Sequence, residues 1–219
     1  MKKFLIFIIV IVLAAPIFTA CKKGEDDPFL TIKSRNARLI GEWEMVDYNQ
    51  ITITTTTIAS TTSTSTETTT YSGTTYTNTV VDDVSDSNTG TVAYSVTFNN
   101  DGTFDRVINI TVNHDGYTSV TITTEKGVWY WASGNNELDT KNKEVLVMQL
   151  TSHIETFTSG SYTDTDSYTW EGLNCPLEYL QIKGLSSKEI TFNMEGKYSN
   201  NDPTIPSSTT TTAEGKMEK

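Results

Sequence analysis

The stretch TVAYSVTFNNDGTFDRVINITV, from Thr91 to Val112, predicts the fold more clearly than any other part of the chain. Apolar and polar side chains alternate on both sides of a central Asn-Asp-Gly, which is the pattern of two half-buried antiparallel strands. The Asn-Asp-Gly supplies the positive φ angles of a tight turn. Arg106 interrupts the apolar face of the second strand. The stretch therefore predicts a β-hairpin with one largely apolar face.

Similar segments with a period of two fill most of the 219-residue chain. About nine or ten of them lie within residues 37–198, joined by short polar turns, and no stretch shows sustained helical periodicity. Successive hairpins favour a meander, and a meander this long avoids exposed edges by closing on itself. The sequence predicts an all-β fold, an antiparallel up-and-down β-barrel of about eight to ten strands. Residues 199–219 are predicted to be a disordered polar tail.

Residues 51–81 are unusually rich in threonine. A glycosylated linker and an ice-binding face are two interpretations, but the stretch has almost no proline and its spacing shows no fixed repeat. Threonine is a good strand former, and Tyr71 and Tyr76 flank Ser72-Gly73, which suits a hairpin turn. We predict an overlong hairpin within the meander, polar on both faces towards its tip.

Residues 1–20 have the features of a secretory signal. Lys2 and Lys3 precede an apolar run that is too short for a comfortable membrane span. A small residue stands directly before Cys21, and this arrangement resembles the lipobox of bacterial lipoproteins. The resemblance implies that Cys21 becomes the mature N-terminus and carries lipid, including palmitate, with residues 21–36 as an acylated tether. The alternative is a soluble secreted protein with an incidental cysteine.

The expected location follows from the tether and the charge. Glu25-Asp26-Asp27 is similar to the export signal of Bacteroidetes lipoproteins that reach the outer face of the outer membrane, although an acidic tether explains the same residues. We expect an outer-membrane protein at the cell surface, held by its N-terminal lipid. Removing residues 1–20 takes away two lysines and no acid, so the net charge goes from −11 to −13. Such a charge argues against nucleic acid as a partner.

Leu39-Ile40-Gly41-Glu42-Trp43 forms an L-x-G-x-W ahead of the meander. It resembles the G-x-W of lipocalins. Three later motifs, at residues 98–104, 127–129 and 182–185, follow in an order similar to that of the lipocalin-like lipoproteins of Bacteroidetes. The resemblance implies that Trp43 plugs the closed end of a barrel. Lipocalins usually place an arginine from the last strand over this tryptophan, and no arginine follows Arg106 here. The candidates to replace it are Lys183, Lys188 and Lys197.

Residues suited to catalysis are sparse. His114 and His153 have no neighbours at metal-ligand spacing. Asp164 and Asp166 share one face of a predicted strand and are a weak candidate for an acid–base pair. Cys175 has no partner once Cys21 is acylated, so we expect it to be buried. We predict no enzymatic activity, no cofactor and no metal.

The aromatic residues suggest two interpretations. They are numerous enough to line a barrel that holds one small apolar or amphipathic ligand, or they fill the core. Trp129 and Trp131 share one face and Val128 and Tyr130 the other, so only one pair can point inward, and we choose the tryptophans. The candidate ligand-binding residues are Trp43, Tyr94, Phe98, Phe104, Trp129, Trp131 and Phe192.

The leading hypothesis is a lipid-anchored, non-enzymatic, lipocalin-like protein of the cell envelope that binds a small hydrophobic or amphipathic ligand in its barrel. The alternative hypothesis is a structural or adhesive module. In that case the threonine-rich hairpin contacts a surface protein or a glycan.

Overall fold

Eleven strands follow one short helix in the part of the chain that the structure describes. This computed structural model describes residues 34–58, 61–82, 85–132, 144–200 and 206–219. The predicted signal, Cys21 and the tether up to residue 33 lie outside the described residues. The elements are α1 (Arg35–Leu39), β1 (Gly41–Ile58), β2 (Thr61–Ser72), β3 (Thr75–Val81), β4 (Ser85–Phe98), β5 (Thr103–His114), β6 (Tyr117–Ala132), β7 (Glu144–Ser159), β8 (Tyr162–Thr169), a 3-10 turn (Gly172–Asn174), β9 (Leu177–Leu185), β10 (Glu189–Asn200) and β11 (Ser207–Glu218).

The strands form one closed antiparallel barrel. Ten of them follow each other in the order β6-β5-β4-β3-β2-β1-β11-β10-β9-β7, and β7 pairs with β6 to close the ring. The eleventh strand, β8, is paired with β7. The predicted all-β, up-and-down barrel is therefore confirmed, and its architecture fits a lipocalin-like fold.

The barrel has a narrow end and a wide end. Near Trp43, β1 pairs directly with β4, from Gly41↔Phe98 to Glu44↔Ser95. Farther along, β2 and β3 lie between these two strands. The ring consequently widens from the end at Trp43, here called the closed end, towards the opposite end, here called the open end. Barrel diameter grows with the number of strands.

Helix α1 covers the closed end. Its N-cap is Ser34, whose hydroxyl accepts a hydrogen bond from the backbone N–H of Ala37 at 3.2 Å. Leu39 is fully buried, and its carbonyl accepts a 2.6 Å hydrogen bond from the Trp43 indole N–H. The Trp131 indole N–H donates to the side chain of Asn36 at 2.9 Å. These contacts place Trp43 at the closed end, as the lipocalin resemblance implied.

The prediction of a disordered tail at 199–219 is wrong for its described part, residues 199–200 and 206–219. Strand β11 fills the place between β1 and β10 and pairs with both along its length. Ala213 and Met217 are buried. The prediction failed because this segment is threonine-rich on both faces, so it lacks the apolar alternation that marks a half-buried strand.

The threonine-rich segment is barrel wall and contains more strands than expected. It forms the end of β1, all of β2 and all of β3, where one overlong hairpin had been predicted. The turn at Ser72-Gly73 is confirmed, because Tyr71 pairs with Tyr76 across it and Gly73 has a φ of 57°. This segment therefore supplies the two strands that widen the ring.

Candidate functional site

Apolar side chains fill the barrel interior at the closed end. Trp129 and Trp131 point inward while Val128 and Tyr130 are exposed, as predicted. Five of the seven predicted ligand-binding residues belong to this packed core: Trp43, Phe98, Phe104, Trp129 and Phe192. The filled-core interpretation applies to this half.

The remaining two predicted residues lie at the margins of this core. Trp131 packs against it beside α1, where the Arg35 guanidinium carbon lies 4.1 Å from the centre of the indole ring. Tyr94 packs against the core on its other side, towards the open end. The predicted burial of Cys175 is confirmed.

Lys219, which directly follows the unpredicted strand β11, lies over Trp43. The Lys219 ammonium is 4.4 Å from the centre of the tryptophan ring. It also donates hydrogen bonds to the carbonyls of Arg38 at 3.0 Å and Ile40 at 2.6 Å. The cation was expected from Lys183, Lys188 or Lys197. Those candidates were wrong because residue 219 had been assigned to a disordered tail.

A buried ion-pair network borders the core on the side of the open end. The Arg106 guanidinium donates two hydrogen bonds to Glu178, at 2.6 and 2.7 Å, and it also pairs with Glu125. The His153 ring Nδ1 lies 2.9 Å from the second oxygen of Glu125. Arg106 is 8 % exposed and Glu125 is 6 % exposed. Four inner-facing residues from β5, β6, β7 and β9 thus share one polar layer.

The charge of Arg106 is secured by its neighbours. Burial by itself lowers the pKa of the guanidinium, because desolvation disfavours the charged form. Tyr94, Glu178 and Glu125 act in the opposite direction and raise the pKa well above its usual value. Arg106 therefore stays protonated and is held by two carboxylates.

Four tyrosines line the wall beside this network. Tyr48, Tyr71, Tyr76 and Tyr94 come from β1, β2, β3 and β4, and cross-strand pairing places the first three side by side. The ring centres of Tyr48 and Tyr71 are 5.1 Å apart, and those of Tyr71 and Tyr76 are 6.1 Å apart. Burial raises the pKa of Tyr71 to about 12 and also raises the pKa of the other three phenols. All four therefore present neutral hydroxyls.

A second aromatic group lies on β7 and the end of β8. The rings of Tyr168 and Trp170 are stacked, with centres 6.0 Å apart. His153 lies 6.0 Å from the first ring and 6.4 Å from the second. Tyr168 is 52 % exposed although it lies on the same face of its strand as the inner-facing residues.

Beyond the network the inner-facing side chains are only partly buried. Phe157 pairs with Thr121, which pairs with Ile110, so all three point to the interior. Phe157 is nevertheless 38 % exposed, whereas Phe98 at the closed end is 0 % exposed. We call the interior beyond the Arg106 network the open half. Its wall combines apolar side chains with hydroxyl, amide and carboxylate groups.

A groove of about 480 Å³ lies along β1, β2, β10 and β11. Its lining combines outward-facing polar residues, such as Asp47, Glu214 and Lys216, with Tyr48, Tyr71 and Phe192. The Lys216 ammonium is already paired with Glu189 at 3.0 Å and with Glu218 at 2.8 Å. This lysine is thus held by two carboxylates of the protein itself.

The suggested acid–base pair lies on an exposed strand. Asp164 and Asp166 share one face of β8, opposite Phe157 and Glu155 of β7. All residues of β8 are exposed, so neither carboxylate sits in the desolvated environment that tunes catalytic acids and bases. The absence of enzymatic activity stays a prediction.

Sequence analysis missed most of the polar layer, although a signal for it existed. Glu125 stands two residues before Gly127 on the inward face of β6, and Glu178 stands two residues before Leu180 on β9. A charged residue at an inward position needs a buried partner. Arg106 had been noted as an interruption of an apolar face, so three such interruptions should have been paired with one another.

Comparisons with family models, with characterised proteins and with solved structures find no match. Within the described ranges, none of the helices has the length and apolar character needed to cross a membrane.

Proposed function

We propose that this protein is a lipid-anchored barrel of the cell envelope that binds one small amphipathic ligand in the open half of its interior. The observation that carries the proposal is the contrast between the filled closed half and the partly exposed inward side chains beyond Arg106, such as Phe157. Ligand sites are concave, mostly apolar, and carry a few polar groups that orient the ligand.

The chemistry of the wall favours an amphipathic ligand over a purely apolar one. Ile108, Ile110 and the tyrosine rings offer apolar contact. The tyrosine hydroxyls and Gln50 offer hydrogen bonds, and the Tyr48 hydroxyl already donates to Gln50 at 2.5 Å. A ligand without polar groups would leave such groups without partners, which is costly. The filled core also removes the deep apolar pocket that a fatty chain would use.

The lipid anchor is supported by the sequence of residues 1–21. Ser34 begins the described chain beside the closed end. A tether from Cys21 would therefore join the barrel at its closed end. Mass spectrometry of the mature N-terminal peptide should find lipid on Cys21, and Cys21→Ser should release the protein from membranes. An unmodified Cys21 would contradict the anchor without affecting the binding proposal.

Native mass spectrometry of the gently purified protein tests ligand binding. Ile108 faces the interior and its neighbour Val107 is exposed on the outer face, so they make a matched pair. Ile108→Trp should fill the open half and abolish the bound mass, while Val107→Trp should retain it. The proposal fails if the wild type carries no ligand after exposure to envelope extract, or if both variants bind equally.

The alternative, adhesion through the threonine-rich strands, stays a prediction. These strands form barrel wall, and no specific contact surface on them favours a protein or a glycan.

A further inference from the structure

Among the described strands, two neighbouring edges of the barrel wall have no strand partner. β10 pairs with β9 only from Ile190 to Asn193. Beyond that point, the described strands provide β10 with a single neighbour, β11. β8 pairs with β7 from Ser152↔Thr169 to Ser159↔Tyr162 and with no other strand in the described part of the chain.

These two edges belong to one opening in the wall. β8 and β9 pair in succession with the same edge of β7, so β8 continues the line of β9 towards the open end. The 3-10 turn Gly172–Asn174 interrupts that line. The free edge of β8 therefore faces the part of the ring where β10 has lost its partner. An edge of this kind presents unpaired N–H and C=O groups to another chain.

The side chains of β8 define what such a chain must carry. Tyr162, Asp164, Asp166 and Tyr168 lie on one face, and threonine and serine lie on the other. On β7, Glu155 stands directly opposite Asp166 and adds a third carboxylate beside the edge. Opposite charges on directly paired strands attract, and like charges repel. A strand added to this edge would meet the two negative charges of Asp164 and Asp166, with a tyrosine on either side of them.

We propose that the free edge of β8 is a docking site for an extended segment of a partner protein that has lysine or arginine at alternate positions. Binding occurs by strand addition, in which main-chain hydrogen bonds provide affinity and alternate side chains provide specificity. The basic residues lie opposite Asp164 and Asp166, and apolar residues on either side of them contact the rings of Tyr162 and Tyr168.

A second copy of this chain does not fit the edge. Antiparallel pairing of β8 with its copy, centred on Thr165, places Asp164 opposite Asp166 of the copy at both ends of the pair. The formal net charge of −11 adds repulsion between two copies. The same aspartates thus disfavour self-association and favour a basic partner.

A synthetic peptide serves as the probe. Acetyl-VTKTKTV-amide carries two lysines and two valines on one face, in the spacing of the β8 residues. Its binding to the mature protein in detergent is measured by fluorescence anisotropy of a labelled copy. We expect saturable binding that weakens about tenfold in Asp164→Asn/Asp166→Asn. The double variant removes two cross-strand charge pairs, and the loss of each pair weakens binding by about threefold. The matched control is Asp82→Asn/Asp115→Asn, which removes the same charge from exposed positions elsewhere and should bind as the wild type does.

Two further peptides separate strand addition from simple charge attraction. The glutamate version, acetyl-VTETETV-amide, should not bind. A lysine peptide with N-methyl groups on alternate amides keeps its charge but cannot complete the ladder, and it should also fail. Equal binding of the methylated peptide, or equal binding of both double variants, would overturn the proposal. Sedimentation that shows a dimer abolished by Ser167→Pro would overturn the choice of partner.

Discussion

Inward and outward side chains alternate along the strands in both halves of the barrel interior, but the closed half is packed and the open half is partly exposed. Phe98 and Phe157 both point inward, yet the first is fully buried and the second is partly exposed. The difference is the number of strands around each residue, because β2 and β3 join the ring only beyond the closed end. A narrow ring lets side chains meet across its axis, whereas a wider ring keeps them apart.

The Arg106 network lies between the packed closed half and the partly exposed open half. Glu178 reaches Arg106 from β9, which is on the far side of β6 and β7 from β5. Long charged side chains can span a distance that short apolar ones cannot. The network therefore closes the top of the core and forms the floor of the open half.

The difference in packing between the two halves is tested most strongly by the same substitution, Phe to Ala, in each half. Phe98→Ala should lower the free energy of unfolding by about 3–5 kcal/mol, since it leaves a cavity in a packed core. Phe157→Ala should cost less than about 1 kcal/mol, because its side chain is already partly in contact with solvent. Urea denaturation of the two variants measures both values. Equal losses would show that the open half is packed as tightly as the closed half.

The boundary is tested by removing one charge or all three. Arg106→Met leaves the buried Glu125 and the partly buried Glu178 without their partner and should cost about 3 kcal/mol. The triple variant Arg106→Met/Glu125→Met/Glu178→Leu should recover most of that loss, since well-packed apolar groups can replace a buried ion pair. Denaturation midpoints of the single and the triple variant test both expectations. If Arg106→Met leaves stability unchanged, the layer is hydrated and does not close the core.

The tyrosine wall predicts how stability depends on pH. The native pKa of Tyr71 is raised to about 12 by burial, above the usual value near 10. Between pH 10 and 12 the unfolded chain releases this proton while the native chain keeps it, so stability is full below pH 10 and falls as pH rises through 12. Tyr71→Phe should show a smaller fall than the wild type in urea midpoints measured from pH 8 to 12. Parallel curves would contradict the burial of this phenol.

The contact above Trp43 should have the smallest effect. Lys219→Met removes the cation over the indole ring and should cost about 1 kcal/mol, because cation–π contacts have this magnitude. Lys197→Met, at an exposed position that the sequence offered as a candidate, should change stability by less than about 0.5 kcal/mol. Thermal denaturation followed by tryptophan fluorescence compares the two. The reverse order would show that Lys219 is not the cation at the closed end.

Local features of the fold were predictable from the sequence. The turn at Asn99–Thr103 forms as expected, with a 2.8 Å hydrogen bond from the Asn99 N–H to the Thr103 carbonyl and a φ of 85° at Gly102. Alternation limited the orientation of Trp129 to two possibilities, and the one chosen is confirmed. Such features depend on residues that are close in sequence, so a short stretch contains all the information needed.

The candidate site was less predictable, because its members are far apart in the chain. Arg106 and Glu178 are 72 residues apart, and Arg106 and Glu125 are 19 residues apart. An isolated charge on an apolar face shows that a partner must exist, but pairing it requires the order of the strands around the ring. Of the seven aromatic residues chosen from the sequence, five belong to the core and two pack against it, since aromatic side chains fill interiors as readily as they line them.

The sequence by itself determined that this protein is a meander of half-buried strands that closes into a barrel, because apolar alternation and turn chemistry are local properties. Only the tertiary structure decided that β11 completes the ring, that β2 and β3 widen it, and that Arg106 joins two distant glutamates. The reason is physical: strands with polar side chains on both faces carry no apolar pattern. Their place is fixed largely by the backbone hydrogen bonds that their neighbours offer.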